Sequence, residues 1–439
     1  MLVSDLTVGW SGIGVVLGLM VLRVPIGVTL VLVSLAGLAI MIGPESGLAM
    51  ITAVPYNFVG DWSLSAIPMF LLMGYLAANG GLTSGLFDFM KLALGRVHGG
   101  LAHASVGACA LFAAASGSTF ATGAAMSRIA VPEMLKAGYH PGLATGVVAA
   151  SGTLGSLIPP SILMILFGIF ANQSIGQLFV AGILPGILSA LIYMGMIWLR
   201  ARMNPELAPR SEIPFSVQRF GSALLDVWPL PVLIFSIMTG IFFGIFSPTE
   251  AGALGASLAL LIVFIRGNLN WRILTNSIRE TVESTASIFI IAVGSLMFSR
   301  MLTISGVPDA ISTAFTDTIT SPIQMLLVIA VVYIVLGMFI DAIGLMLITL
   351  PIFLPTLQEM NVDLIWFGIL TIKMLEIGLI TPPIGLNVFV IYSALDRKIP
   401  LTTIFKGVFW FIAMDVLTLA ILIAFPRITL FLPALASGN

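Results

Sequence analysis

The chain has 439 residues, is 59% hydrophobic and 8% charged, and carries a net charge of −1 with a mean hydropathy of +1.14. A soluble domain carries about 25% charged residues, so a soluble fold is excluded, and the balanced charge leaves no basic face for nucleic acid. The single cysteine, Cys109, excludes an intrachain disulfide and a cysteine-based metal cluster.

Apolar runs recur along the chain, for example 225–265, 322–357 and 408–426, and they are continuous. An outer-membrane barrel would alternate over segments of ~10 residues, so the expected class is an all-α polytopic membrane protein. The opening MLVSDLTVGW has no basic n-region and is not expected to be a cleavable signal. Cations gather at Arg23; Lys91 and Arg96; Arg128 and Lys136; Arg200, Arg202, Arg210 and Arg219; Arg266, Arg272 and Arg279; and Arg397, Lys398 and Lys406. Loops 43–66, 171–177, 245–250 and 305–322 carry none, so the positive-inside rule puts the first set in the cytoplasm and the second outside.

Residues ~8–22 then run inward, ~24–43 outward and ~66–79 inward. Residues ~80–98 (GGLTSGLFDFMKLALGRVH) have the pattern of an amphipathic surface helix. Residues 99–131 leave the cytoplasm and return, since Lys136 and His140 follow, and 33 residues are too few for two spans and a turn. They predict a re-entrant hairpin over 99–132 with ASGSTFATG in its middle. Residues 142–171 cross outward, broken at Pro159–Pro160; ~178–200 return, ~226–246 cross outward and ~250–266 return. Residues ~267–283 resemble a second surface helix, and ~284–304 cross outward. A second hairpin over 322–356 enters from outside, 362–394 cross inward with a break at Pro382–Pro383, and the last long segment crosses outward.

Pro159, Pro160, Gly155 and Pro132 have counterparts 223 residues on, at Pro382, Pro383, Gly378 and Pro355, while the charges invert the two stretches. The expectation is an inverted-topology repeat, 66–200 and 284–430, each with one re-entrant hairpin and one proline-broken helix, the rest forming a scaffold. A broken helix exposes carbonyls at one end and N–H groups at the next start, the former suiting a cation and the latter an anion. Such backbone is tolerated at membrane depth only where protein or a cavity covers it. The stretch GTLGSLIPPS therefore reads as one wall of a site, facing the tip Ser116-Gly117-Ser118-Thr119. The second half would pair a tip around Gly337 to Asp341 with the break Gly378 to Pro383. Hydroxyl and carbonyl oxygens suit a hard, weakly held ion such as Na⁺.

Asp341 follows an apolar run, where an ionisable group is costly and functional, and it also suits a helix N-cap. Arg300, inside IAVGSLMFSRMLT, either snorkels or receives a substrate carboxylate. Ser161 and Asn387 follow the proline pairs and are candidate substrate hydrogen-bonders. Lys373 and Glu376, three apart, predict an internal ion pair, and Glu250 a capping acid. There is no GxxxxGK[ST] loop for ATP and no HExxH motif, and no base pairs convincingly with the Ser116–Ser118 hydroxyls, so no enzyme activity is expected.

The run FAAASGSTFATGAAMSRIAVPEMLKAGYHPGLATGVVAASGTLGSLIPPSILMILFG resembles the large, DctM-type membrane subunit of the tripartite ATP-independent periplasmic (TRAP) transporters. GMFIDAIGLMLITLPIFLP, FGILTIKMLEIGLITPPIGLNVFVI, SPTEAGALGA and IPMFLLMGYLAANGGL resemble it too. The resemblance implies an elevator-type secondary transporter in the bacterial inner membrane, driven by two or more Na⁺ and not by ATP. It implies a small four-helix DctQ-type subunit, expected as a separate polypeptide, and a DctP-type periplasmic binding protein that delivers an organic anion. Carried onto this chain, the first Na⁺ site falls on Ser116, Ser118 or Thr119 with Gly155, Ile158 and Pro160. The second falls on Gly337, Gly378, Thr381 and Pro383 or Ile384; the substrate would lie near Ser118, Ser161, Asp341 and Asn387, with Arg300 as a further candidate. The alternative is a stand-alone Na⁺/dicarboxylate symporter needing no binding protein; a channel or an intramembrane hydrolase explains the paired breaks less well.

Overall fold

Hydrocarbon offers backbone N–H and C=O groups no partners, which restricts a chain this apolar to helices. A computed structural model describes residues 4–22, 24–209, 217–316 and 321–436, all helix, turn or coil without a strand. Arg23, Arg210 and residues 317–320 of the cation-free loop, all used in the charge map above, lie outside the described residues.

Helices α1 (Asp5–Val21), α2 (Ile26–Ile42) and α3 (Pro44–Val59) lead through a 3-10 turn at Trp62–Ser65 into α4 (Ala66–Asn79) and α5 (Leu86–Leu94). Two residues join α6 (Gly100–Ser116) to α7 (Thr119–Lys136). Helices α8 (Pro141–Leu157) and α9 (Ile162–Phe170) are bent by 41° at the Pro159–Pro160 break. Next come α10 (Ile175–Met203), α11 (Val217–Val227), α12 (Pro229–Phe242), α13 (Pro248–Ile265), α14 (Trp271–Ser305) and α15 (Val307–Thr316). A second joined pair, α16 (Pro322–Gly337) and α17 (Ala342–Glu359), precedes a second interrupted pair, α18 (Leu364–Ile380) and α19 (Leu386–Ala394). Helices α20 (Leu401–Ala424) and α21 (Arg427–Ala436) come last. Among the described residues, six helices are long and apolar enough to cross a membrane, or up to eight if each bent pair is one span. The chain is a multi-pass membrane protein.

The paired elements keep the spacing of the sequence pattern. Thr119 and Ala342 begin α7 and α17, Pro141 and Leu364 begin α8 and α18, and Leu157 and Ile380 end them, each pair 223 residues apart. The start signals are local. His140 accepts from Gly142 N and Asp363 from Trp366 N, so each broken span opens with a side-chain cap. Glu250 completes a capping box with Ser247 at the start of α13.

Two stretches differ from the sequence-based expectation. Loop 43–66 contains α3, which Pro44 opens from its first position. Residues 267–304 are not a surface helix followed by a span but the single 35-residue helix α14, capped by Asn270. Its polar first half is held against α4: Asn79 donates to Ser277 and Glu280, and Tyr75 shares a hydrogen bond with Ser284.

Helix α8 is buried from Gly142 to Leu157 and packs on α6, α7, α18 and α20. Its approach to α20 is backbone on backbone, since a Cβ on Gly407 would overlap the Gly142 carbonyl oxygen. Small residues permit such contact between apolar helices. Helices α2, α4 and α17 pack against α14 on the other side, and a smaller core of Val16, Leu30, Leu38, Phe298 and Met301 lies there.

The predicted pair Lys373–Glu376 forms at 3.0 Å with both side chains fully buried. Asp415 of α20, in the middle of an apolar run, completes it: Lys373 Nζ and the Tyr193 hydroxyl of α10 each donate to Asp415 Oδ1 at 2.5 Å. Three helices are thereby tied at one buried point. Removing one partner of a buried ion pair strands the other and costs about 3–5 kcal/mol. Lys373→Met is therefore expected to lower the melting temperature of the detergent-purified protein sharply; an unchanged melting temperature would show that the cluster ties nothing.

Candidate functional site

Three of the helices that begin at the tips and breaks begin at one cavity. Ser118 caps α7, accepting from Ala121 N; Ser161 caps α9, accepting from Met164 N; Asp341 caps α17, accepting from Gly344 N at 3.0 Å. All three line a cavity of about 90 Å³, with Thr119, Ser156 and Leu379 also on its wall. A helix N-terminus carries about half a positive charge. The two starts capped by serine hydroxyls, at Ser118 and Ser161, make a place for an anion's oxygens, while the third is capped by the Asp341 carboxylate. Asp341 on the same wall presents a carboxylate, an acceptor only.

Behind this cavity the first tip packs on the first break. Thr119 Oγ1 and Ser156 Oγ share a hydrogen bond of 2.7 Å, and Ser116 Oγ pairs with Thr122 Oγ1 at 3.0 Å and lies 3.4 Å from the Ser118 carbonyl. A Cβ on Gly117 would lie 3.1 Å from the Pro160 carbonyl oxygen, and one on Gly155 would lie 3.4 Å from Ser118 C and Thr119 N. Ser116, Ser118, Thr119, Gly155 and Pro160 are thus brought together, with oxygens of the hard type that a small monovalent cation accepts. Ile158 caps the end of α8 and its side chain packs towards Gly186 of α10.

The second tip meets the second break through two glycines. A Cβ on Gly378 would lie 2.7 Å from Gly337 Cα, and one on Gly337 would lie 3.0 Å from Gly378 Cα. Thr381 ends α18, donating its hydroxyl to the Ile377 carbonyl at 2.5 Å, while Pro383 is exposed. The ends of α16 and α18 therefore meet, with carbonyl groups at both.

Two candidate substrate residues are placed elsewhere. Asn387 is fully buried and does not line the cavity: its Nδ2 donates to the Ala149 carbonyl at 2.6 Å, and its side chain wedges against Gly123 and Gly152. It braces the start of α19 on α7 and α8. Arg300 is exposed on α14 and lines neither this cavity nor the cleft beside it. The cleft, about 590 Å³, shares Asp341 with the cavity and is lined by Phe120, Ala124 and Arg128 of α7 and by Phe389 and Ser393 of α19. Sequence reasoning assigned Arg128 only to the cytoplasmic charge count and passed over Ser156. The signal for Arg128 was the four-residue spacing of 120, 124 and 128, which puts them on one helix face.

Residues 13–428 match the family described as "Tripartite ATP-independent periplasmic transporter, DctM component". The chain belongs to this family. It is 36% identical over 374 residues to the C4-dicarboxylate TRAP transporter large permease protein DctM of Pseudomonas aeruginosa, covering 85% of this chain and 86% of the relative. It is 34% identical to the sialic acid TRAP transporter permease protein SiaT of Haemophilus influenzae over 85% of this chain, which spans only 60% of that relative's length. Among solved structures, the Alcanivorax borkumensis YdaH transporter shares the fold at a TM-score of 0.63 and 15% identity, covering 86% of this chain and 88% of that one. The TRAP large-permease sequence thus runs through both tips and both breaks.

The glycine contact at the second break gives a direct check. The atoms that a Gly378 Cβ meets are backbone, which cannot rotate away. Gly378→Ala is expected to cost ~1–3 kcal/mol as overpacking does, read as a lower melting temperature; a neutral result would mean that α16 and α18 do not touch there.

Proposed function

We propose that this TRAP large permease carries out Na⁺-coupled uptake of an organic acid across the bacterial inner membrane. It would receive the acid from a DctP-type periplasmic binding protein and work with a small DctQ-type membrane subunit. The observation that carries the reading is the convergence of the α7, α9 and α17 starts, with Ser118, Ser161 and Asp341, on one cavity. Helix starts suit the acid's oxygens, and the helix ends behind them suit cations. The names of the relatives, which include C4-dicarboxylate and sialic acid permeases, support an organic acid as cargo.

The common 223-residue spacing of the paired helices supports the inverted repeat over 66–200 and 284–430. In this reading the pairs α6–α9 and α16–α19 form a carrier, and α14 with its neighbours forms the scaffold past which it slides as an elevator. Ser116, Ser118, Thr119, Gly155, Ile158 and Pro160 would contribute to one Na⁺ site, and Gly337, Gly378, Thr381 and Pro383 to the other. Ions and acid together order the tips. A partly loaded carrier, with charge and free backbone exposed, is held back by several kcal/mol. That difference couples the two fluxes.

The test is uptake into proteoliposomes holding this chain and its small subunit, with binding proteins loaded with labelled organic acids, an inward Na⁺ gradient and no ATP. Accumulation that requires both Na⁺ and a binding protein is expected. Uptake of free dicarboxylate without a binding protein would favour a stand-alone symporter, and flux indifferent to Na⁺ would remove the cation sites from the reading.

A further inference from the structure

We infer that Arg128 receives the acid's carboxylate in the open cleft, and that the cargo is a monocarboxylate with an apolar body and a hydroxyl or amino donor, not a dicarboxylate. This rests on reading the chain as an organic-acid permease. It goes further in naming a residue and a substrate class.

Of the residues lining the cleft and the cavity behind it, Arg128 and Asp341 are the ones that carry charge. The protein therefore offers one cation and one anion. A dicarboxylate would set one of its two charges on Arg128 and bring the other towards the Asp341 carboxylate or leave it unpaired, which is costly away from water. A monocarboxylate with a donor matches both groups: the guanidinium takes the carboxylate through paired N–H bonds, and Asp341 accepts from the donor. Cations at the breaks would attract a dianion more strongly than a monoanion, but they would sit at the helix ends, whereas the charged groups lining the cleft itself are Arg128 and Asp341.

Arg128 is available for the task. It is exposed, and among the described residues its guanidinium is in no ion pair. Glu133, the acid on the same helix, is taken by Lys91 at 3.0 Å and Lys136 at 3.4 Å. Phe120 and Phe389, on facing helices of the cleft, remain 39% and 38% exposed. Their rings present an uncovered apolar surface beside the cation, which a four-carbon diacid has little apolar surface to cover and an acid with an apolar body covers well. Helices α7 and α19 lead to Lys136 and to Arg397 with Lys398, so the cleft opens towards the side that the positive-inside rule makes cytoplasmic. Arg128 then holds the acid on its way out.

The experiment is calorimetric binding of three acids to the detergent-purified permease with its small subunit in Na⁺. The probes are 3-phenyllactate, 3-phenylpropionate (which lacks the hydroxyl) and succinate. Phenyllactate should bind most tightly; Arg128→Gln should weaken it about 10- to 100-fold, and Arg128→Lys, which keeps the charge, should weaken it less. Succinate binding as tightly as phenyllactate, equal affinity in Arg128→Gln and wild type, or no binding of any probe to wild type would each overturn the inference. Proteoliposome uptake separates the two failures. Na⁺-driven uptake in wild type that survives Arg128→Gln unchanged keeps the permease reading and removes Arg128; no such uptake in wild type removes the reading itself.

Discussion

Every backbone polar group at a helix interruption must find a partner inside the protein, because lipid supplies none. The two tips and two breaks meet this demand with one another. Ser118, Ser161 and Asp341 take N–H groups at three helix starts, and Thr119 with Ser156 closes the gap between the first tip and the first break. Glycines remove side chains wherever backbone has to approach backbone, as at Gly337 and Gly378. The site is thus a small space lined by three capped helix starts and by Ser156 and Leu379 near the ends of α8 and α18.

Such a site needs rigid surroundings, and the fold provides them by two unlike means. Where Gly142 and Gly146 of α8 meet Gly407 of α20 the seam is backbone on backbone, with no glycine side chain to rearrange. Around Lys373 the fastening is ionic and fully buried, drawing α10, α18 and α20 to one point. Asn387 adds a third fastening, between the element after the second break and the helix before the first. Packed elements thus connect one interruption to the other.

Much of this was legible in the sequence. Proline pairs in apolar runs marked the breaks, and Asp341 was legible as a cap because capping is a local rule; Ser118 and Ser161, read as ligand hydrogen-bonders, also cap α7 and α9. What the sequence did not disclose depends on orientation about a helix axis. Asn387 follows its proline pair as Ser161 does, yet it points into a gap left by Gly123 and Gly152, a fact that belongs to other elements. Arg300 lies on a helix whose inner face is occupied by other residues. Asp415 was passed over in the sequence, because its partners stand 42 and 222 residues away. α14 was read as two pieces because its polarity changes midway, although nothing in Trp271–Ser305 breaks a helix there.

That helix carries a consequence for the surrounding lipid. At ~1.5 Å per residue, α14 is about 52 Å long, against ~30 Å of hydrocarbon. The excess is its polar first half, which needs no hydrocarbon and is pinned to α4 by Asn79 and Tyr75, so a tilt of the apolar half would drag α4 along. The broken helices α8 and α18, by contrast, are wrapped in protein over their whole first segments. A change in bilayer thickness that tilts α14, where mismatch costs fractions of a kcal/mol per ångström, therefore moves α4 with it. The segments that lead into the two breaks have little surface left for lipid to act on.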